Sequence, residues 1–153
     1  MPKEIERKFL LKNNDWKKNA SGIPIKQGYL SVEKERTVRV RIKGDKAFLT
    51  IKGITIKGVR PEYEYEIPLN EGRELLDICE GPLIEKTRYE VIFDNLLWEI
   101  DIFKGENSGL VLAEVELQNE NQKINIPEWI AEEVTGNMSY SNSNLLKKPF
   151  SKW

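Results

Sequence analysis

Charged and apolar residues alternate through much of this chain, and that two-residue period predicts β-strands. Near the N-terminus, Glu4, Glu6 and Lys8 alternate with Ile5 and Phe9. On a strand, such positions face opposite sides of the sheet. Comparable segments bounded by turn residues predict eight strands, at residues 2–12, 23–33, 36–43, 47–52, 61–69, 84–93, 96–103 and 110–118.

Helical signals are few and short, and they predict pieces at residues 13–20, 70–80, 127–134 and 141–148. Successive hairpins favour an antiparallel sheet, and closing the sheet removes exposed strand edges. We therefore predict an α+β, mainly β fold. It is a closed eight-stranded antiparallel barrel forming a tunnel, with a few short helices packed outside, and residues 1–153 form a single domain.

Composition narrows the possible chemistry. The chain has 24 basic and 25 acidic residues and a net charge of -1, which argues against general binding to nucleic acid or an anionic membrane. Histidine is absent, which excludes Ser-His-Asp hydrolases and His-ligated zinc sites. Any metal is expected to be held by oxygen atoms, which favours Mg²⁺ or Mn²⁺. The single Cys79 cannot form an internal disulfide and fits the cytoplasm. We expect a monomer or a homodimer.

The charges fall in like-charge pairs two residues apart. An ordinary sheet with one solvated face would explain any single strand. However, like charges on one face destabilise each other, so their repetition points to a face that meets cations and a polyanion. The pairs are Glu4 and Glu6, Arg39 and Arg41, Glu62 and Glu64, and Glu114 and Glu116.

These residues resemble the CYTH superfamily, the triphosphate tunnel metalloenzymes, in its short bacterial type. The N-terminal segment matches the Glu-x-Glu-x-Lys signature of that superfamily. The resemblance spans nearly the whole chain and rests on an ordered series of motifs: Arg-Val-Arg (39–41), Leu-Thr-Ile-Lys-Gly (49–53), Arg-x-Glu-x-Glu (60–64), Glu-Lys-x-Arg (85–88), Trp-Glu-Ile-Asp (98–101), Ala-Glu-Val-Glu-Leu (113–117) and Ser-Asn-Ser-Asn-Leu (141–145).

The resemblance implies a tunnel lined by three sets of residues. The metal ligands would be Glu4, Glu6 and Glu116, with Asp101 and Glu114 lining the same floor and binding or orienting a second metal ion. The triphosphate would be held by Lys8, Arg39, Arg41, Lys52, Lys86 and Arg88. Glu62 and Glu64 would orient these cations or position the attacking water. Tyr29, paired with Lys86, is either a proton acceptor or an aromatic residue of the wall.

The activity expected from this resemblance is metal-dependent hydrolysis of inorganic triphosphate to pyrophosphate and phosphate. Breaking a phosphoanhydride needs charge neutralisation and a positioned water more than covalent catalysis. The alternatives are a class IV adenylyl cyclase, a thiamine triphosphatase, and a polyphosphate-binding module without enzymatic activity.

Overall fold

A computed structural model describes residues 2–18 and 20–153; Met1 and Asn19, the latter within the predicted helix 13–20, lie outside the described residues. In the described part of the chain, ten strands form one sheet, accompanied by two α-helices and four 3-10 helices. The strands are β1 (Lys3–Glu4), β2 (Glu6–Leu11), β3 (Gly22–Ser31), β4 (Thr37–Lys43), β5 (Lys46–Lys52), β6 (Arg60–Ile67), β7 (Glu80–Phe93), β8 (Leu96–Phe103), β9 (Val111–Glu116) and β10 (Ile130–Glu133). The α-helices are α1 (Leu69–Asp77) and α2 (Asn142–Lys147), and the 3-10 helices are Asp15–Lys17, Gly105–Asn107, Met138–Tyr140 and Phe150–Lys152.

The sheet is antiparallel throughout, with the strand order β1-β6-β5-β4-β3-β7-β8-β9-β2-β10. The prediction of a mainly β, antiparallel fold is thus confirmed, whereas the closed barrel of eight strands is not: the described residues form ten strands in an open order. One reason is that the predicted strand 2–12 is divided at Ile5. Before that residue the chain pairs with β6, and after it the chain pairs with β9.

The second reason is β10, which lies where the sequence predicted a helix over 127–134. That prediction was wrong. Ile130 pairs with Leu11 and Glu133 pairs with Phe9 on β2, and Arg7 donates two hydrogen bonds to Glu133, at 2.9 and 2.7 Å. A free strand edge offers backbone partners that a short helix cannot use, so tertiary pairing overrides the local helix signal.

The two α-helices confirm the predicted pieces at 70–80 and 141–148, with bounds shifted by a few residues. Helix α1 packs on β4 and β5, and this contact is close because Gly72 lacks a side chain. A Cβ at Gly72 would lie 2.5 Å from the Cβ of Ala47. Helix α2 packs on β7. No helix of the described residues is long and apolar enough to span a membrane.

Two apolar clusters lie on opposite faces of the sheet. The first contains Trp98, Ile100 and Val115 and packs against Trp16. The second contains Ile84, Phe103, Leu110, Leu112, Val134 and Leu145. By strand alternation, Phe103 shares a face with Glu99 and Asp101. The second cluster therefore continues, at one end, the face that carries the charges, and α2 covers it through Leu145.

Candidate active site

A cavity of about 340 Å³ lies on the charged face and is lined by residues from β1 to β9 and from α2. The strands bring together side chains that are far apart in sequence, because alternate residues of each strand point to this face. The lining includes Glu4, Glu6, Lys8, Tyr29, Arg39, Arg41, Lys52, Glu62, Glu64, Arg88, Glu114 and Glu116, all of which were predicted site residues. Two further predicted residues, Lys86 and Asp101, are buried behind this lining.

Several basic residues of the cavity lie close to carboxylates. Lys52 Nζ lies 2.8 Å from Glu4 Oε2 and 3.8 Å from Glu62 Oε1. Arg39 lies 3.6 Å from Glu64, which also accepts a hydrogen bond from Thr50 Oγ1 at 3.0 Å. These contacts agree with the predicted role of Glu62 and Glu64 in orienting the cations.

Arg39 also has an unused donor. Among the described residues its Nε is buried and has no hydrogen-bond partner, while its Nη2 donates to Thr50 Oγ1 at 3.2 Å. A buried guanidinium N–H without an acceptor is costly. An oxygen atom of a bound phosphate would satisfy it.

The acidic side of the cavity is formed by β2 and β9, where Glu6 pairs with Glu116 and Lys8 with Glu114 in the strand register. Burial, Glu114 and Glu4 raise the pKa of Glu6 well above its usual value. Burial also acts on Glu114, but Lys8 and a hydrogen bond from Glu6 outweigh it and hold its pKa well below the usual value. The pKa values of these two neighbouring carboxyl groups therefore shift in opposite directions.

Glu116 is affected by the same group of neighbouring carboxylates. Burial, Glu4 and Glu99 raise the pKa of Glu116. The nearby lysines do not outweigh this crowding at Glu6 and Glu116, and a divalent cation held by oxygen atoms would relieve the repulsion. The chemistry of these donors fits the predicted Mg²⁺ or Mn²⁺, although residues 2–18 and 20–153 contain no preformed group of three acidic side chains with metal-binding geometry.

Asp101 is buried, and its two carboxylate oxygens contact two cationic side chains. Its Oδ1 and Oδ2 accept from Arg88 Nε and Nη2 at 2.8 and 2.9 Å, and Lys86 Nζ lies 2.7 Å from Oδ2. Burial raises the pKa of Asp101, but Lys86 and Arg88 outweigh it and lower the pKa to about 2. Both oxygens are thus engaged by cations, so this arrangement suits Asp101 for orienting Arg88 rather than for the predicted metal ligation.

Lys86 is equally buried, and its Nζ contacts Asp101 and Asn142, not the cavity. Burial, Arg88 and Arg41 lower the pKa of Lys86 to about 7, against the opposing effect of Asp101. No hydrogen bond joins Lys86 to Tyr29 in the described part of the chain. Tyr29 lines the cavity together with Lys8 and Arg41.

Sequence reasoning missed several residues of the site. Thr50 and Glu99 were detectable, because they alternate with Lys52 and Asp101 on their strands. Gln27 and Asn142 carry no charge and gave no comparable signal, yet Gln27 Nε2 donates to Asn142 Oδ1 at 3.1 Å and both border the buried cations. Only the folded chain brings the C-terminal helix to β3.

A model of the CYTH domain matches residues 2–150. The chain belongs to the CYTH family. Two CYTH relatives are inorganic triphosphatases: that of Acetivibrio thermocellus is 49% identical, covering 98% of this chain and 97% of its own, and that of Nitrosomonas europaea is 38% identical, covering 93% and 95%. A crystal structure of an inorganic triphosphatase is 36% identical and superposes with a TM-score of 0.66 over 95% of both chains.

Proposed function

We propose that this CYTH protein hydrolyses inorganic triphosphate to pyrophosphate and phosphate with Mg²⁺ or Mn²⁺. The observation that carries the proposal is one cavity with basic residues on some strands and crowded carboxylates on others. Similarity to two inorganic triphosphatases over nearly the whole chain supports the choice of substrate. The positive charge that a small polyanion would meet is concentrated in this lining, while the whole chain has a net charge of only -1.

Binding would rest on the cations already in place. Arg39, Arg41 and Arg88 would contact phosphate oxygens through their guanidinium groups, which match phosphate geometry, and Lys8 and Lys52 would act as point charges. Because strands and carboxylates hold these side chains before substrate arrives, little reorganisation is needed when charge develops in the transition state.

Glu4, Glu6 and Glu116 would hold the divalent cation, with Glu114 beside them. When bound, the cation supplies positive charge that offsets the repulsion between the phosphate oxygens and these carboxylates. Tyr29, on the cavity wall, would either accept a proton from the attacking water or serve as an aromatic wall residue, and Glu62 and Glu64 would keep Lys52 and Arg39 aimed at the substrate.

We also propose that the cavity works as a tunnel. This is supported by residues 3–11, where β1 pairs with β6 and β2 pairs with β9, so that one short segment contacts both sides of the cavity. A backbone hydrogen bond from Leu117 N to Ile5 O, 2.7 Å long, extends the contact across the point of division.

Phosphate release by the purified protein tests the proposal. The assay compares inorganic triphosphate, ATP and thiamine triphosphate, each with Mg²⁺ or Mn²⁺ and with a chelator, and measures cyclic AMP from ATP in parallel. We expect the fastest release from inorganic triphosphate and none with the chelator. No release from any substrate would exclude a hydrolase and leave the binding module, whereas cyclic AMP formation would indicate a cyclase.

A further inference from the structure

Arg41 is held differently from the other buried arginines of the cavity. Arg39 and Arg88 lie 3.6 and 2.8 Å from a carboxylate oxygen, and the lysines Lys8 and Lys52 lie 3.9 and 2.8 Å from one. Arg41 forms no ion pair with any described residue, and its Nε donates instead to the amide oxygen Oε1 of Gln27 at 2.7 Å. A neutral acceptor can position a guanidinium without offsetting its charge. Arg41 therefore keeps its charge for a ligand.

Gln27 is itself held by the C-terminal helix. Its Nε2 donates to Asn142 Oδ1 at 3.1 Å, and Lys86 Nζ donates to the same oxygen at 3.0 Å. Ammonium and guanidinium groups only donate, so each end of this chain of contacts must meet an amide oxygen. That requirement sets the orientation of both amides, and both Gln27 and Lys86 are almost completely buried.

The choice of amides is costly for stability. Arg41 is buried close to Arg39 and Arg88, and a carboxylate at position 27 would compensate part of this positive charge. Unpaired buried charge persists mainly where function requires it. A dianionic or more highly charged phosphate ligand would supply the missing compensation when it binds.

We propose that Gln27 and Asn142 are positioning residues that aim Arg41 at the phosphate ligand and leave its charge uncompensated. This inference rests on the proposed function for the identity of the ligand. Helix α2 thereby takes part in the site: Asn142 orients the amide of Gln27, and Gln27 orients Arg41. Neither residue needs to contact the reacting atoms.

Gln27→Glu provides the main test, because it keeps the size of the side chain and places a carboxylate on Arg41. We expect the melting temperature to stay the same or rise, while the affinity for pyrophosphate, measured by titration calorimetry without metal, falls on the order of tenfold to a hundredfold. KM for triphosphate should rise by a similar factor, with a smaller change in kcat. A purely structural role predicts no loss of affinity in a variant that is equally stable.

Asn142→Ala is the second variant, and we expect about tenfold weaker binding of pyrophosphate because Gln27 loses its orientation. Asn142→Asp keeps the accepting oxygen and should recover part of that loss. Asn144→Ala, on the same helix and outside the cavity lining, is the matched control and should bind as the parent does.

Unchanged affinity for pyrophosphate in both Gln27→Glu and Asn142→Ala would overturn the inference. Failure of the proposed function looks different: the parent protein would bind pyrophosphate but release no phosphate from triphosphate. The calorimetric comparison of the variants would then still decide whether these amides position Arg41.

Discussion

Along β8 and β9, the charged face of the sheet changes from charged to apolar side chains. On β8, Glu99 lines the cavity, Asp101 lies in the buried ion cluster, and Phe103 belongs to the apolar cluster covered by α2. On β9, Glu114 and Leu112 show the same change. Both regions use the same backbone and alternation, so one sheet provides both a charged cavity and an apolar core.

The comparison teaches that stabilisation and function are divided along the strands rather than between faces. The apolar end removes hydrocarbon surface from water, which favours folding. The charged end crowds carboxylates together, which raises the pKa of Glu6 and opposes folding. Substitutions at the two ends should therefore have opposite consequences for stability and activity.

The largest effect is expected for Glu6→Ala at the charged end. Removing this carboxylate should lower kcat/KM for triphosphate by on the order of 100-fold or more, while the unfolding free energy stays the same or increases because a repelling group is lost. Steady-state phosphate release and chemical denaturation measure the two quantities. Glu66→Ala, an exposed carboxylate outside the cavity lining, is the control. If Glu6→Ala lost stability but kept its activity, the division of function and stabilisation between the two ends of the strands would be contradicted.

Asp101→Asn tests the boundary between the two regions. It leaves Lys86 and Arg88 without their buried carboxylate, and breaking a buried pair costs about 3–5 kcal/mol. Activity should fall as well, because Arg88 loses the two hydrogen bonds that orient it. Urea denaturation with and without Mg²⁺ measures the change. A variant as stable as the parent would mean that the cations repack around the amide.

Leu112→Ala tests the apolar end. The side chain is 1% exposed, and removing it should lower the unfolding free energy by about 2–5 kcal/mol through lost burial and the cavity left behind. The KM of the remaining folded protein should stay within about twofold, because Leu112 does not line the charged cavity. A large rise in KM at unchanged stability would break the comparison.

The smallest effect is expected outside the cavity, at the Arg7–Glu133 pair. The hydrogen bond from Arg7 holds the pKa of Glu133 below its usual 4.5, so the pair stabilises the protein above that pH and loses its contribution as pH falls. Because both side chains are partly exposed, Glu133→Gln should cost less than about 1 kcal/mol at neutral pH. Thermal denaturation from pH 7 to pH 3 should show the difference between variant and parent shrinking. If the difference in stability between variant and parent grew as the pH fell, the expected direction of the pH dependence would be wrong.

Much of the site was predictable because it lies on strands. The alternation at Glu4, Glu6 and Lys8 and at Arg39 and Arg41 places these residues on one face wherever the strands pair, and the structure finds all five on the cavity wall. The alternation does not predict whether a charged side chain on this face reaches the cavity or is buried beside it. Lys86 and Asp101 share that alternation with Arg88 and Glu99, but they lie one step closer to α2 and are buried.

The sequence by itself determined most of the strands, the charged face and the membership in the CYTH family, since each depends on local period and motif order. Three other features were decided by the tertiary structure alone. Pairing energy at a free strand edge made β10 a strand instead of a helix. Together with the division at Ile5, it gave ten strands instead of eight. The packing of α2 brought Asn142 to Gln27 across 115 residues. Contacts between distant segments depend on the summed packing of the whole chain, and no local pattern contains that information.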